Sequence, residues 1–194
     1  MKKLVLCVVA AMFGASAYAA EFYWVSTDDS GNALFGDPDN WAVGRSAGAG
    51  NPGNLVPGVN DYIYQFQRSN ALDRAYAFNF AATASHPSNT WTIRGFSGFD
   101  DSYCRNKIFV IGGNFTVTET FSNTWLRVEV RDGSKFTIGP DAHSRIGRGG
   151  CVSEYIVQSG GAAELGGTYH LTNIRIENQA GGTFTIARPR RVLL

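Results

Sequence analysis

The stretch that decides the fold is IFVIGGNFTVT, residues 108–118, in which two apolar runs flank a pair of glycines. A similar arrangement returns three times, as VEVRDGSKFTI at 128–138, YIVQSGGAAEL at 155–165 and IRIENQAGGTFTI at 174–186. In each unit apolar and polar residues alternate with a period of two, and glycine supplies the turn between the runs. Each unit therefore predicts a strand, a glycine turn and a second strand.

The glycine turns recur at a regular interval. The second glycines are Gly113, Gly133, Gly161 and Gly182, so the successive steps are 20, 28 and 21 residues. Steps of this length are typical of solenoids, in which stacked coils bury one continuous apolar column. The repeats therefore favour an all-β chain built as a short parallel β-helix.

An antiparallel β-sandwich or meander is the alternative, with each unit forming a hairpin. A two-residue glycine turn in the first unit would pair Val110 with Phe115, which suits a hairpin. The equivalent turn in the second unit would pair Glu129 with Phe136 and would place apolar residues on opposite faces. A solenoid corner does not require its flanking strands to face each other, so we expect a β-solenoid domain over residues 62–194.

A change of phase near the end of the repeats predicts a corner. Tyr169 and Leu171 share one parity, whereas Ile174 and Ile176 have the opposite parity. The break falls at Thr172-Asn173, and Thr and Asn side chains hydrogen-bond locally at such bends.

The first nineteen residues have the pattern of a secretory signal peptide. Lys2 and Lys3 precede an apolar run over residues 4–13, and Ala17-Tyr18-Ala19 is a small-x-small cleavage site. The apolar run is shorter than the ~20 residues that a membrane-spanning helix needs. We expect cleavage after Ala19, a secreted or cell-surface location, and no membrane span once the signal is removed.

Composition excludes several classes of protein. The 194 residues include 17 Lys and Arg against 16 Asp and Glu, a net charge of +1, which argues against a nucleic-acid partner. Hydrophobic residues make up 44% and aromatic residues 13%, which indicates a folded core. Cys104 and Cys151 remain after signal removal, and an oxidising compartment allows either a disulfide between them or two separate thiols.

The opening segment resembles a known family. The residues that carry the resemblance are Tyr23-Trp24, then DPDNW at 37–41, then VPGVNDYIY at 56–64. They resemble the start of secreted bacterial surface proteins of the autotransporter-repeat or adhesin type, which are right-handed parallel β-helices. The resemblance implies a right-handed β-helix exported to the cell surface or beyond. Because such proteins are usually longer, it implies either a shortened member or a chain whose open end binds a partner.

Two tryptophans in this segment carry alternative interpretations. Trp24 and Trp41 are large apolar rings that could cover the first coil, which would make residues 20–61 an aromatic N-terminal cap. Exposed rings could instead stack on sugars. Rings near a chain end are more often buried, so the cap is the favoured interpretation.

No residue pattern predicts a catalytic, cofactor-binding or metal site. His86, His143 and His170 lack the spacing of metal ligands. Asp28-Asp29 and Asp100-Asp101 are expected to be solvated turn or strand residues. Outward charges of alternating sign predict ion pairs between coils, and not a catalytic groove, at Arg127, Glu129, Arg131, Arg175 and Glu177.

The sequence therefore predicts an exported, non-enzymatic β-solenoid, adhesin-like or part of the cell envelope, without a cofactor. The expected partner is an extracellular glycan or another surface protein. The alternative is a secreted carbohydrate-binding or carbohydrate-active β-helix protein.

Overall fold

The strands of this protein belong to two sheets, and both sheets draw strands from many parts of the chain. A computed structural model describes residues 19–26, 33–44, 47–67, 75–84, 86–100, 106–124, 126–131, 133–146, 153–171 and 174–187. These residues form strands and two short 3₁₀ turns, Pro38–Asn40 and Ala47–Ala49, so the all-β prediction is confirmed. No helix among them is long and apolar enough to cross a bilayer.

The strands are numbered in chain order: β1 (Glu21–Trp24), β2 (Trp41–Val43), β3 (Tyr62–Gln67), β4 (Ala75–Asn79), β5 (Thr90–Asp100), β6 (Asn106–Ile111), β7 (Asn114–Thr124), β8 (Leu126–Val130), β9 (Lys135–Ile138), β10 (His143–Ile146), β11 (Ser153–Val157), β12 (Ala162–Leu165), β13 (Thr168–Leu171), β14 (Ile174–Asn178) and β15 (Thr183–Ile186).

The large sheet has the order β15-β12-β9-β7-β5-β3-β1-β2, with β10 joining β7 to β13. The small sheet has the order β14-β11-β8-β6-β4. Every ladder between the described strands is parallel except that of β1 with β2. Parallel strands cannot be joined by tight hairpins, so the chain must cross to another layer between them.

The antiparallel alternative is wrong for the repeats, because the two strands of each unit lie in different sheets. In the first unit Val110 pairs with Val130 of the small sheet. Phe115 pairs instead with Trp91 and Phe136 of the large sheet. The predicted hairpin pair Val110–Phe115 does not form, because the turn at Gly112 carries the chain from one sheet to the other.

The glycine turns connect the two sheets at equivalent places, from β6 to β7, β8 to β9, β11 to β12 and β14 to β15. Gly112 has a φ of 73°, a conformation that L side chains rarely adopt. At its neighbour Gly113 the reason for glycine is space, since a Cβ would lie 2.2 Å from the carbonyl oxygen of Asn89. The two glycines of the pair thus meet two different requirements.

The phase change at Thr172-Asn173 also has a structural counterpart, although both residues lie outside the described ranges. β13 before it pairs with β10 in the large sheet, and β14 after it pairs with β11 in the small sheet. The parity changes because the chain changes sheets.

The core is built from inward residues that stack from strand to strand. Phe115 pairs with Phe136, with ring centroids 6.1 Å apart, and both side chains are buried. In the small sheet Val110, Val130 and Val157 lie in one row and are also buried. Full burial of a side chain of this kind stabilises the fold by about 1.5–3 kcal/mol.

Aromatic residues from the start of the chain pack at the β2 and β4 ends of the two sheets. Trp24 packs edge-on against Trp41 and Phe78, with centroids 4.8 Å away in each case. The Trp41 Nε1 donates a hydrogen bond of 2.8 Å to the carbonyl oxygen of Phe35. Trp24 is 3% exposed and Trp41 is 2% exposed. Stacking of a sugar on either ring is therefore excluded, because neither has a face open to solvent.

A pair of glycine substitutions separates backbone strain from lack of space. Gly133 has a φ of 69°, and a Cβ added there would have no atom within 4 Å, so Gly133→Ala should cost about 1 kcal/mol from conformation alone. At Gly167 the φ is 81° and a Cβ would lie 2.1 Å from the carbonyl oxygen of Ala142. We expect Gly167→Ala to cost roughly 3 kcal/mol or more in urea unfolding. Equal losses for the two variants would contradict this packing.

Candidate binding surface

Several predicted site residues lie outside the described ranges. They are Cys104, Cys151, Asp28, Asp29 and Asp101. The disulfide between Cys104 and Cys151 therefore stays a prediction. Among the described residues no group of His, Cys, Asp and Glu is arranged to hold a metal ion.

The histidines have separate surroundings. His86 packs its ring against Trp91, with centroids 5.6 Å apart. His143 is exposed on β10. His170 lies on β13 in register with Arg145 of β10. Their backbone positions do not bring these three residues together in one ladder row.

The outward face of the small sheet carries a charge ladder, which we define as Arg127, Glu129, Arg131, Glu154, Arg175 and Glu177. Arg127 lies 3.6 Å from Glu129 and 3.9 Å from Glu154. Arg175 lies 3.5 Å from Glu154 and 3.4 Å from Glu177. Among the described residues of the ladder, the predicted ion pairs between successive strands form only through Glu154 of β11, with Arg127 of β8 and Arg175 of β14. The pairs Arg127–Glu129 and Arg175–Glu177 each lie within one strand.

Glu129 is the buried member of the charge ladder, with 8% of its surface exposed. It lies 3.6 Å from both Arg127 and Arg131 and accepts a hydrogen bond of 2.6 Å from the Gln158 Nε2. Pairing with two guanidinium groups satisfies this carboxylate, so it is a structural group. The more exposed pairs of the ladder contribute roughly 0–1 kcal/mol each.

The outward face of the large sheet carries a different kind of surface, the tyrosine face, formed by Tyr23, Tyr62 and Tyr64. In β1 and β3 the inward residues Phe22, Trp24 and Ile63 are buried, and the tyrosines alternate with them. Tyr23 of β1 is in register with Tyr64 of β3. All three tyrosines are half-buried, so each presents part of its side chain to solvent.

Tyr62 lies flat over a strand glycine. It is in register with Gly95 of β5, where a Cβ would lie 2.1 Å from the Tyr62 Cδ1. A glycine within a strand commonly marks such a close approach. The absence of a side chain at Gly95 thus leaves the space that the Tyr62 ring occupies.

A carboxylate, a guanidinium group and a phenol lie in contact at the edge of the tyrosine face. The Tyr62 hydroxyl donates a hydrogen bond of 2.9 Å to Oε1 of Glu119, and the Arg94 Nε donates to Oε2 of the same carboxylate. The guanidinium carbon of Arg94 is 5.4 Å from the centre of the Tyr62 ring. A break in register between Ile93 and Gly95 places Arg94 opposite the extra residues of β7.

The contacts of this cluster shift the pKa values of Glu119 and Tyr62. The hydrogen bond from Arg94 lowers the pKa of Glu119 below its ordinary value of 4.5. Burial raises the pKa of Tyr62, and the bond to Glu119 adds to the effect. Burial also raises the pKa of Tyr23. At neutral pH the face therefore presents neutral phenols beside an ionised carboxylate and a guanidinium.

The remaining tyrosine has a similar partner, since the Tyr64 hydroxyl donates a hydrogen bond of 3.3 Å to Oε1 of Glu21. Aromatic rings beside carboxylates and amide-like donors form a surface that can stack on a sugar ring and hydrogen-bond its hydroxyl groups. Trp24 and Trp41 are buried, as the favoured interpretation expected, so they do not belong to this surface. Parity in the sequence could have indicated that Tyr62 and Tyr64 share the outward face, because they flank the apolar Ile63.

Comparisons with known proteins identify no relative: no family model, no curated protein and no solved structure matches this chain. The resemblance of residues 23–64 to bacterial β-helix surface proteins therefore stays an expectation.

The pKa shift of Glu119 predicts part of the acid sensitivity. Because its pKa is lower in the folded chain, the unfolded chain binds the proton first as pH falls below about 5. The stabilisation is complete above the unfolded pKa of 4.5 and is lost as pH falls through the folded pKa. We expect Glu119→Gln to be less stable than the parent at pH 7 and to lose less on acidification. Thermal unfolding across this pH range measures the effect.

Tyr62→Phe provides the matched comparison. It removes the smaller contribution to the pKa shift and leaves the hydrogen bond from Arg94 in place. Its pH dependence should therefore lie closer to that of the parent than to that of Glu119→Gln. If Glu119→Gln keeps the parent's full pH dependence, the carboxylate has no role in acid stability.

Proposed function

We propose that this chain is an exported, non-enzymatic β-solenoid, a short right-handed parallel β-helix of the adhesin-like or cell-envelope type. The observation that carries the proposal is the stacking of parallel strands in register, with β9 between β7 and β12 and β11 between β8 and β14. Each unit contacts its neighbours along one axis, as repeat architectures require. Right-handedness is expected because crossovers between parallel strands of one sheet are almost always right-handed.

The proposed division of the chain follows from the same contacts. Residues 20–61 supply the aromatic cluster of Trp24 and Trp41, which would act as the N-terminal cap. Residues 62–194 would form the solenoid body, beginning with β3 at Tyr62. A cap protects the first coil from pairing with other chains.

The non-enzymatic character is supported by what the charged side chains do. Glu129 is surrounded by Arg127, Arg131 and Gln158, and Glu119 is held by Arg94 and Tyr62. A general acid or base needs a proton-transfer atom directed at a substrate, whereas these carboxylates are directed at structural partners. Their arrangement favours a surface that stabilises the fold and binds a partner without catalysing a reaction.

Export is supported by a contact at the expected cleavage site. The Ala20 backbone nitrogen lies 2.8 Å from Oδ1 of Asp61, whose Oδ2 accepts a second bond of 2.8 Å from the Gly58 nitrogen. The Ala20 carbonyl accepts a bond of 2.9 Å from the Tyr62 nitrogen. Cleavage after Ala19 would make the Ala20 nitrogen a charged ammonium group, so the hydrogen bond to Asp61 would become an ion pair.

Expression in a secreting bacterial host tests export. We expect the chain outside the inner membrane with Ala20 as its first residue, measured by fractionation and N-terminal sequencing. Asp61→Asn should lower the stability of the processed chain by about 1 kcal/mol, and the loss should shrink when one extra residue precedes Ala20. Asp39→Asn is the control, since Asp39 is an exposed turn residue. A cytoplasmic chain that keeps Met1 would contradict the proposal.

Carbohydrate binding is the second candidate function, and the tyrosine face favours it. Tyr23 and Tyr64 are side by side in register, and the hydroxyl groups of Tyr62 and Tyr64 are held by Glu119 and Glu21. Rings that are already held by partners lose less conformational entropy on binding, which suits stacking on a polysaccharide.

A glycan array followed by calorimetry tests this function. We expect Tyr23→Ala and Tyr64→Ala each to weaken binding to a hit from the array by about tenfold, because each removes one stacking ring. Thr116→Ala is the matched control, since Thr116 lies on the same sheet away from the tyrosines. If the parent chain binds no glycan on the array, the tyrosine face is not a carbohydrate site.

A further inference from the structure

The strands β14 and β15 lie at one end of the two sheets. β14 is the last strand of the small sheet and β15 is the last strand of the main path through the large sheet. Within the described part of the chain no strand pairs with the outer edge of either one. Unpaired edges are templates for pairing with another chain.

This end exposes residues whose neighbours in register belong to the core. Ile176 is 40% exposed, although it is in register with Tyr155, which is 0% exposed. Ile186 is 46% exposed, whereas its neighbour in register, Leu165, is 1% exposed. Both isoleucines continue the inward apolar rows, and among the described residues no further strand covers them.

The backbone at the same place is directed outward. The Gln179 nitrogen donates to the carbonyl oxygen of Val157 in β11, at 2.9 Å. Because backbone groups alternate in direction along a strand, the N–H and C=O of Ile176 point away from β11. Ile176 thus offers a donor and an acceptor together at the middle of the free edge.

The charged residues on either side of Ile176 are complementary to the same residues of a second copy. Arg175 precedes Ile176 and Glu177 follows it, and the Arg175 side chain is 64% exposed. If a second β14 pairs antiparallel about a two-fold axis at Ile176, Arg175 faces the partner's Glu177 and Glu177 faces the partner's Arg175. These are the positions whose side chains approach most closely in an antiparallel ladder.

We propose that the β14–β15 end is a self-association surface, on which a second copy of this chain pairs β14 with β14 about a two-fold axis at Ile176. The interface is isologous, so one patch serves both copies. The two ends bring the exposed isoleucines of both copies together and make the apolar column continuous across the axis. This inference depends on the parallel stacking and not on the adhesin-like function.

The second strand is compatible with the same arrangement. The Thr183 and Ala187 nitrogens donate to carbonyl oxygens of the β12 side, at 3.0 and 2.9 Å. By alternation, the backbone groups of Phe184 and Ile186 face the free edge. An axis crossing Thr185 would place Phe184 opposite the partner's Ile186, so inward apolar residues would again meet.

Sedimentation equilibrium on the purified full chain tests the proposal with a charge exchange. The parent should be a dimer at micromolar concentration. Arg175→Glu and Glu177→Arg should each weaken dimerisation about tenfold, because each creates two like-charge contacts across the axis. The double variant R175E/E177R should restore dimerisation to near the parent level, since its charges are again complementary.

Arg127→Glu is the matched control. It reverses the same charge in the same ladder and also lies beside Glu154, but it is away from the free edge, so dimerisation should be unchanged. Circular dichroism confirms that each variant is folded, and Ile176→Asp gives an independent break of the interface. A monomeric parent, or a double variant as weak as the single ones, overturns the proposal. Dimerisation seen only after removal of residues 188–194 also overturns it, because that segment would then occupy the edge.

Discussion

The structure depends on one constraint, the stacking of parallel strands in register so that apolar residues of successive strands meet inside. Phe115 lies in register with Phe136, and Val110 lies in register with Val130. The inward side chains of one strand therefore pack on those of the next strand. Hydrogen bonds run along the stacking direction while apolar side chains fill the interior. Each inner strand pairs with one strand on either side, so the burial of its inward residues depends on those two neighbours.

This dependence explains why the two ends differ. At the β2 and β4 ends, Trp24 and Phe35 each pack edge-on against Trp41, and all three side chains are buried. At the β14 and β15 end, Ile176 and Ile186 face the same column but keep much of their surface exposed. The same stacking leaves apolar side chains exposed at this end, because no strand among the described residues covers them.

The outward faces of the two sheets carry different kinds of side chain. The small sheet carries ion pairs between successive strands, such as Arg127 with Glu154 and Glu154 with Arg175. The charges of these pairs neutralise one another. The large sheet carries Tyr23, Tyr62 and Tyr64, which offer ring surface and hydroxyl groups to solvent. The tyrosine face is therefore the better candidate for recognition, whereas the charge ladder supports the fold.

Local signals in the sequence were sufficient for the two strands of each repeat unit, for the glycine turns and for the alternating signs of the charge ladder. They depend on the stereochemistry of neighbouring residues, such as the period-two alternation of IFVI and the freedom of Gly112 to adopt a positive φ. Local signals also indicated that Thr172-Asn173 separates two differently directed strands.

Only the tertiary structure decided which residues became neighbours. Tyr62 and Glu119 are 57 positions apart, and they meet because β3, β5 and β7 stack in a register that includes a bulge. The same stacking places Tyr23 of β1 beside Tyr64 of β3, although the two residues are far apart in sequence. Side-chain direction is set by the chain itself, whereas the partner on the next strand is set by long-range pairing, and this is why the candidate site could not be derived from sequence alone.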